Sequence, residues 1–407
     1  MSGVETVLCV VGDSRFEVHR SRFSRNFVRP LAVFDQAHLL LNGSIISNNS
    51  VEGSGGGMLI GGLANVTVTG GSRLQGNNAT GVGGGLMAVG NASLRIDGNS
   101  SVRGNSASGA GGGLSVYNNV RITLAGGSKV QNDTARTWAG GGMAVWDNVS
   151  AELTDGSSVR GNMAAGSGGG LYAVDRTEVV CTGCIIAHNT VAVLEACAFL
   201  DDDGASDYVD EEEYEQLVDE HPECLEMRSS DGGGLCVVGN ARVALAGGSC
   251  VHGNIALTGS GGGLYLSGLA AVAMTDRTTV SGNTAGFVGG GLRATGNSTV
   301  TISGGSSVQG NTAGSGGGLD VVNQGNVTIT GGSSVHGNTA VHSGGGGECS
   351  QWRLRDTYCW QKSARQQGTR RFRWRDVCHI ECTCHYQQPE HCVKQHMFWR
   401  SWWWHSC

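Results

Sequence analysis

Proline is nearly missing from this chain, with 3 residues in 407, against a usual share of about 5%. Charged side chains are also scarce, at 15% where soluble domains carry about 25%. Aromatic residues reach only 6%, and no apolar run approaches the roughly 18 residues of a membrane-spanning helix. Charge poverty excludes a polyelectrolyte coil, and the 39% of apolar residues supply enough material for a core. What is abundant is glycine, 70 residues without a strict third-position period, which excludes collagen. Glycine inside helices costs about 1 kcal/mol per residue relative to alanine, so helices are not the main element and a β-rich chain is expected.

The net charge of -7 hides two biased segments. Residues 191 to 231 hold 15 acidic side chains and one basic one, Arg228, whereas from Cys349 onward there are 10 Lys or Arg against 4 Asp or Glu. The body between them is nearly neutral. It offers no basic stripe for nucleic acid and no cationic amphipathic helix for a membrane surface. The start, Met1 to Gly12, lacks the basic region and apolar run of a secretory signal, so either that route is not used or the true start lies upstream.

Self-similarity supplies the organising signal. Gly triplets begin at Gly55, Gly83, Gly111, Gly140, Gly168, Gly232, Gly261, Gly289, Gly316 and Gly344, spaced by 28, 28, 29, 28, 64, 29, 28, 27 and 28 residues. The long interval is one period plus an insertion. Five to seven residues before each regular triplet stands Asn49, Asn77, Asn105, Asp133, Asn162, Asn254, Asn283, Asn311 or Asn338, and Asn189 fills the same place before the insertion. An aliphatic residue precedes each by three positions, as in Leu74, Val102 and Val130.

Each unit reads as three short strands, such as Leu319 to Val322, Asn326 to Thr330 and Ser333 to Asn338. Alternation within them marks strands, and Ile60, Ala88, Val116, Val145, Ala173, Val237, Leu266, Ala294 and Val321 form an apolar column that faces inward. Such a unit cannot close a core alone. Stacking equivalent strands about 4.8 Å apart predicts a parallel β-solenoid of about ten rungs, roughly 28 residues each, in which the Asn column forms an internal hydrogen-bonded ladder. The Leu-x-x-Leu-x-Leu frame of leucine-rich repeats is absent.

Units such as Val308-Gln309-Gly310-Asn311 followed by Gly316-Gly317-Gly318-Leu319 resemble the right-handed parallel β-helix repeats of polymorphic outer membrane proteins, members of the pectin-lyase-like superfamily. That family pairs a Gly-Gly-Ala-aliphatic motif with Phe-x-x-Asn. Phe23 to Asn26 matches the second motif literally; later repeats place Val where the family has Phe and Gly where it has Ala. The resemblance covers most of residues 15 to 347. It implies an all-β right-handed parallel β-helix and surface exposure or adhesion, without the membrane barrel that would follow such repeats.

Candidate catalytic groups would share a column, because β-helix lyases and hydrolases gather carboxylates on one outer face. Asp147 and Asp175 share a position in adjacent rungs. The rest of that column is Gly62, Gly90, Asn118, Gly239, Gly268, Gly296 and Asn323, residues suited to a left-handed backbone, so a turn explains the whole set. His252 and His336 belong to a column of Gln, Arg and Ser that reads as a solvated face. No catalytic residue, cofactor or metal is expected.

Residues 191 to 231 read as an acidic, partly helical insertion between rungs at 15 to 190 and 232 to 347. Setting Glu213 as the last ligand of an EF-hand loop puts Asp202 first but Asp207 where the sharp turn needs Gly, so the match is damaged. Cys197 and Cys224 bracket this excursion and suit a bridge, and Cys184 and Cys250 stand in nearly equivalent places. Cys181-x-x-Cys184 suits free or bridged thiols better than zinc. Ten Asn-x-Ser/Thr sequons, including Asn65, Asn91, Asn148, Asn297 and Asn326, fit an extracellular chain.

Residues 348 to 407 abandon the repeat and carry seven of the nine Trp and seven of the fourteen Cys. A zinc or disulfide module built on Cys378, Cys382, Cys384, His385 and Cys392 is one reading. A frame slip explains more. Trp has one codon, TGG, which read one base late becomes GGN, always Gly. Trp402, Trp403 and Trp404 then become a Gly triplet 58 residues after Gly344, two periods of 29, and Trp374 falls 29 after Gly345. The tail therefore reads as out-of-frame translation of further repeats.

Two functions follow as expectations. The first is a non-enzymatic surface or secreted scaffold that contacts glycans or surface proteins; the second is a carbohydrate-active β-helix enzyme. No three carboxylates or basic groups share one column or groove, which favours the first.

Overall fold

The computed structural model describes residues 6–192 and 230–343, with the short strands Gly347–Cys349, Trp352–Arg353, Tyr358–Cys359 and Glu381–Cys382 beyond them. The chain coils as an all-β parallel β-solenoid of about ten turns. Among the described residues there is no helix. Four parallel sheets of 12, 11, 12 and 10 strands run the length of the coil, so from Arg29 to Ser343 each turn contributes four strands rather than the three expected. In one turn these are Leu114–Tyr117, Arg121–Leu124, Lys129–Gln131 and Thr134–Ala135, assigned below to the first, second, third and fourth sheets. The extra strand is two residues long in eight of its ten occurrences, too short to show any period; a buried Ala or Val, as at Ala135 or Val191, holds it to the interior.

Register is kept residue for residue. Leu114 pairs with Met143, Ile122 with Ala151, Val130 with Val159 and Ala135 with Ala164 in the next turn. The same turn points Leu114, Val116, Val120, Ile122, Leu124 and Val130 into the core with at most 1% of their surface exposed. Each such side chain stabilises the fold by about 1.5–3 kcal/mol. Strand Thr6–Val10 pairs with Arg29–Val33, which places residues 6 to 10 in the stack as well.

The Gly triplets solve three local problems, seen at Gly140 to Gly142. Gly140 has φ +69°, a left-handed turn that starts the first-sheet strand. Gly142 lies against the ladder, where a Cβ would stand 2.7 Å from Asn162 Nδ2 and 2.7 Å from Gly170 O. Gly141 packs on the backbone of the following turn. Backbone proximity, as well as turn geometry, therefore fixes the triplet.

The segment 193–229 leaves between Val191 and Leu235 without disturbing the stack, since Leu171 pairs with Leu235 and Thr190 with Ile255. The EF-hand reading, Cys197 and Cys224 lie outside the described residues, as do Cys378, Cys384, His385 and Cys392 of the zinc reading; of its ligands only the backbone of Cys382 is described.

Candidate functional site

The ladder residues Asn49, Asn77, Asn105, Asp133, Asn162, Asn189, Asn254, Asn283, Asn311 and Asn338 are all buried, at most 1% exposed. Asn77 shows the pattern. Its Nδ2 donates to Asn105 Oδ1 (3.0 Å) and to Ile46 O (3.1 Å), while its Oδ1 accepts from Asn49 N and Nδ2 (3.2 and 2.8 Å). Both donors and both lone pairs are used, so burial leaves no polar atom of the amide unpaired. Asn26 extends the row, donating to Asn49 Oδ1 at 2.8 Å. The row sits inside the coil and carries the fold; it faces no ligand.

A second buried column accompanies it that the sequence reading did not single out: Ser44, Ser72, Ser100, Ser128, Ser157, Cys184, Ser249, Thr278, Ser306 and Ser333. Ser44 N donates to Ser72 Oγ (3.0 Å) and Ser306 N to Ser333 Oγ (3.1 Å). Its signal was present as the Ser or Thr that closes each turn into the third sheet. Cys184 takes the Ser place in one turn and forms a disulfide with Cys181, both inside the core. The third-sheet register sets Cys250 opposite Ile185, so Cys184 matches Ser249 rather than Cys250.

Of the outward residues weighed as catalytic, Asp147 (φ +60°) and Asp175 (φ +63°) occupy left-handed turns, as does every other member of their column. His252 and His336 are three turns apart, linked through Ser281 and Gln309. The structure pairs His252 with His188 instead, ring centroids 5.1 Å apart and planes at 90°. Burial and the neighbouring His188 lower the His252 imidazole below its ordinary value.

The outer face of the first sheet is the most distinctive surface. Its two outward positions per strand, which alternation would leave polar, carry Leu59, Met87, Val89, Tyr117, Trp146, Tyr172, Val174, Val238 and Tyr265. Tyr117 and Trp146 are neighbours across the sheet and stack with planes 5° apart and centroids separated by 5.2 Å. Trp138, half exposed on the preceding loop, leans on Trp146 at 6.2 Å and 41°. The loop is brought there by the first triplet glycine: a Cβ at Gly140 would lie 2.8 Å from Ala144 Cβ. The equivalent glycines of other turns pack in the same way, Gly111 on Ser115 and Gly232 on Cys236, and Ser115, Ala144 and Cys236 are buried although they point outward.

Charges on this face are compensated. Arg293 Nη1 donates to Ser260 Oγ (2.7 Å) and its Nε lies 3.4 Å from Asp320 Oδ2, while Ser260 N donates to Asp231 Oδ1 (2.7 Å). Burial and the nearby Asp231 push the Cys236 thiol well above its usual range, so it stays protonated. Burial, with Cys236 and Asp175 beside it, pushes the Tyr172 phenol up to about 12. No group of three or more His, Cys, Asp or Glu able to hold a metal occurs among the described residues. No helix of the described residues is long and apolar enough to cross a membrane.

Comparison with known proteins finds no matching family model, no matching curated sequence and no matching solved structure.

Proposed function

We propose that this chain is a non-enzymatic surface or secreted scaffold that holds a neutral glycan on the aromatic outer face of its first sheet. The stack of Tyr117 and Trp146 with half-exposed Trp138 beside it carries the reading. Aromatic planes pack on the apolar faces of pyranose rings, and a mostly apolar face with a few placed polar groups is the usual make-up of a small-ligand site. Compensation of Arg293 by Asp320 favours an uncharged ligand. An extracellular or cell-surface location is supported by the Cys181 to Cys184 disulfide and by the exposed sequon residues Asn65, Asn91, Asn148, Asn297 and Asn326. The likeness to polymorphic outer membrane protein repeats points the same way.

A glycan array followed by titration monitored through tryptophan fluorescence tests this. Binding of neutral oligosaccharides that Trp138→Ala abolishes is expected; no binding to any glycan overturns the reading. Release of reducing or unsaturated sugar from bound polysaccharide would instead support the carbohydrate-active enzyme.

A further inference from the structure

His188 stands in the turn that follows each third-sheet strand. That column has positive φ throughout, from Asn48 (+55°) and Gly76 (+63°) through Asn132 (+55°) and Gly161 (+63°) to Gly253 (+62°) and Gly337 (+64°). Arg25 in the first turn and His188 (+54°) are the members that are neither Gly nor Asn. An imidazole is thus held where, after the first turn, the fold otherwise places only Gly or Asn, and such outliers point to a task for the side chain.

The surroundings seat that ring. A Cβ on Gly253 would fall 2.6 Å from His188 Nδ1, so only glycine leaves room for it in the next turn. His252, adjacent to Gly253, is the outward residue of strand Cys250–His252, and its partner in the preceding turn is Ala187, whose small side chain leaves the space in which the rings meet. His188 N donates to His252 O at 3.1 Å, fixing one backbone against the other. Arg160, the nearest cation of that column, is turned toward the opposite neighbour, donating to Gln131 Oε1 at 3.3 Å.

The spacing of the two rings fits one shared ion. With Zn–N bonds of about 2.0–2.1 Å, a ring centre lies about 3.2 Å from the metal, and two rings at a tetrahedral angle have centres about 5.2 Å apart. The observed separation is 5.1 Å. We propose that His188 and His252 form a two-imidazole surface site for a divalent transition metal such as zinc or nickel, with water filling the remaining positions. This site is independent of the aromatic face.

The test is calorimetric titration of Ni²⁺, and separately of Zn²⁺, into the full chain and its variants. His188→Asn and His252→Gln install residues that the same columns already accept, at Asn132 and Gln309, so both variants keep the fold. Each is expected to lose the same single equivalent of metal, with affinity falling at least about tenfold, while the double variant loses no more. His336→Gln should bind like the parent. Unchanged stoichiometry and affinity in both single variants, or a loss in His336→Gln equal to theirs, overturns the proposal. Metal held by cysteines elsewhere in the chain remains in all variants and so does not mimic the expected result.

Discussion

Asp133 accepts both the backbone and the side-chain N–H of Asn105 on a single oxygen, Oδ1, at 2.7 and 2.9 Å. In every neighbouring turn the second ladder atom is an amide nitrogen that donates, as Asn162 Nδ2 does to Val130 O and to Asn189 Oδ1. Asp133 presents Oδ2 at that place, without a hydrogen-bond partner. The pattern of the column sets Oδ2 toward two acceptors, Val102 O and Asn162 Oδ1. Burial pushes the Asp133 carboxyl well above the usual carboxylate range, and a protonated Oδ2 resolves the conflict by donating.

A raised folded pKa means the folded chain holds a proton that the unfolded chain, with a pKa of about 3.9, releases. Stability from this group is therefore complete below pH of about 3.9 and is lost as pH rises toward the raised folded value. Asp133→Asn restores both donors. It is expected to add about 1–3 kcal/mol at neutral pH and to flatten the decline of stability above pH of about 4. Urea unfolding of both proteins between acid and neutral pH reads this directly; a variant less stable at pH 7 contradicts it.

Cys184→Ser places in its turn the residue found at Ser157 and Ser249. Opening a disulfide between residues 3 apart in sequence removes about 2 kcal/mol in the chain-entropy account, and a new Ser hydrogen bond returns about 1 kcal/mol. A net loss near 1 kcal/mol is expected, with Cys184→Ala costing more than Cys184→Ser. Thermal unfolding of the pair under non-reducing conditions checks the order.

Gly142→Ala sets a methyl group 2.7 Å from Asn162 Nδ2 and Gly170 O. Neither neighbour can yield without breaking the ladder, so a loss of about 1–3 kcal/mol or more is expected. Gly104, with open space around its missing Cβ but φ +60°, is the control: Gly104→Ala should cost only the strain of a left-handed alanine, about 1–2 kcal/mol. Equal midpoints for Gly142→Ala and the parent would show that the triplet is not set by contact.

Trp138→Ala removes a half-exposed ring from the loop wall while leaving the Tyr117 and Trp146 stack in place. The free energy of unfolding should change by less than about 0.5 kcal/mol, and glycan binding should be lost. A binding-competent variant would relocate the ligand.

Sequencing of the coding DNA past the codon for Gly347 is expected to return, in the +1 reading, the Asn and aliphatic columns of the repeat ahead of the Gly codons that Trp374 and Trp402 to Trp404 necessarily become. An intact frame without repeats in that reading removes the slip.

The stacking, the period and the inward column could be read from the sequence because a solenoid writes its contacts as a repeat: Val102 over Val130 is also Val at the same place in two units. Features lacking a long period were harder. The fourth strand has two residues in most turns, and the Ser column was masked by the general abundance of Ser. The aromatic face was legible in principle, since Tyr117 and Trp146 sit at outward positions where alternation calls for polar side chains, but a column that varies from turn to turn gives no repeat to notice. The pairing of His188 with His252 joins two different columns, so no single-column comparison reveals it.

Asn189 donates to Asn254 Oδ1 at 2.9 Å, the same length as Asn254 to Asn283, although 65 residues separate the first pair and 29 the second. The coil is therefore indifferent to how much chain is spliced into that corner. New material placed there need not share a fold with the rod or fold in step with it; only its two ends must return to the same register. Such a corner is a natural port for grafting a foreign module, and the rod would display it sideways at a height fixed by the turn chosen.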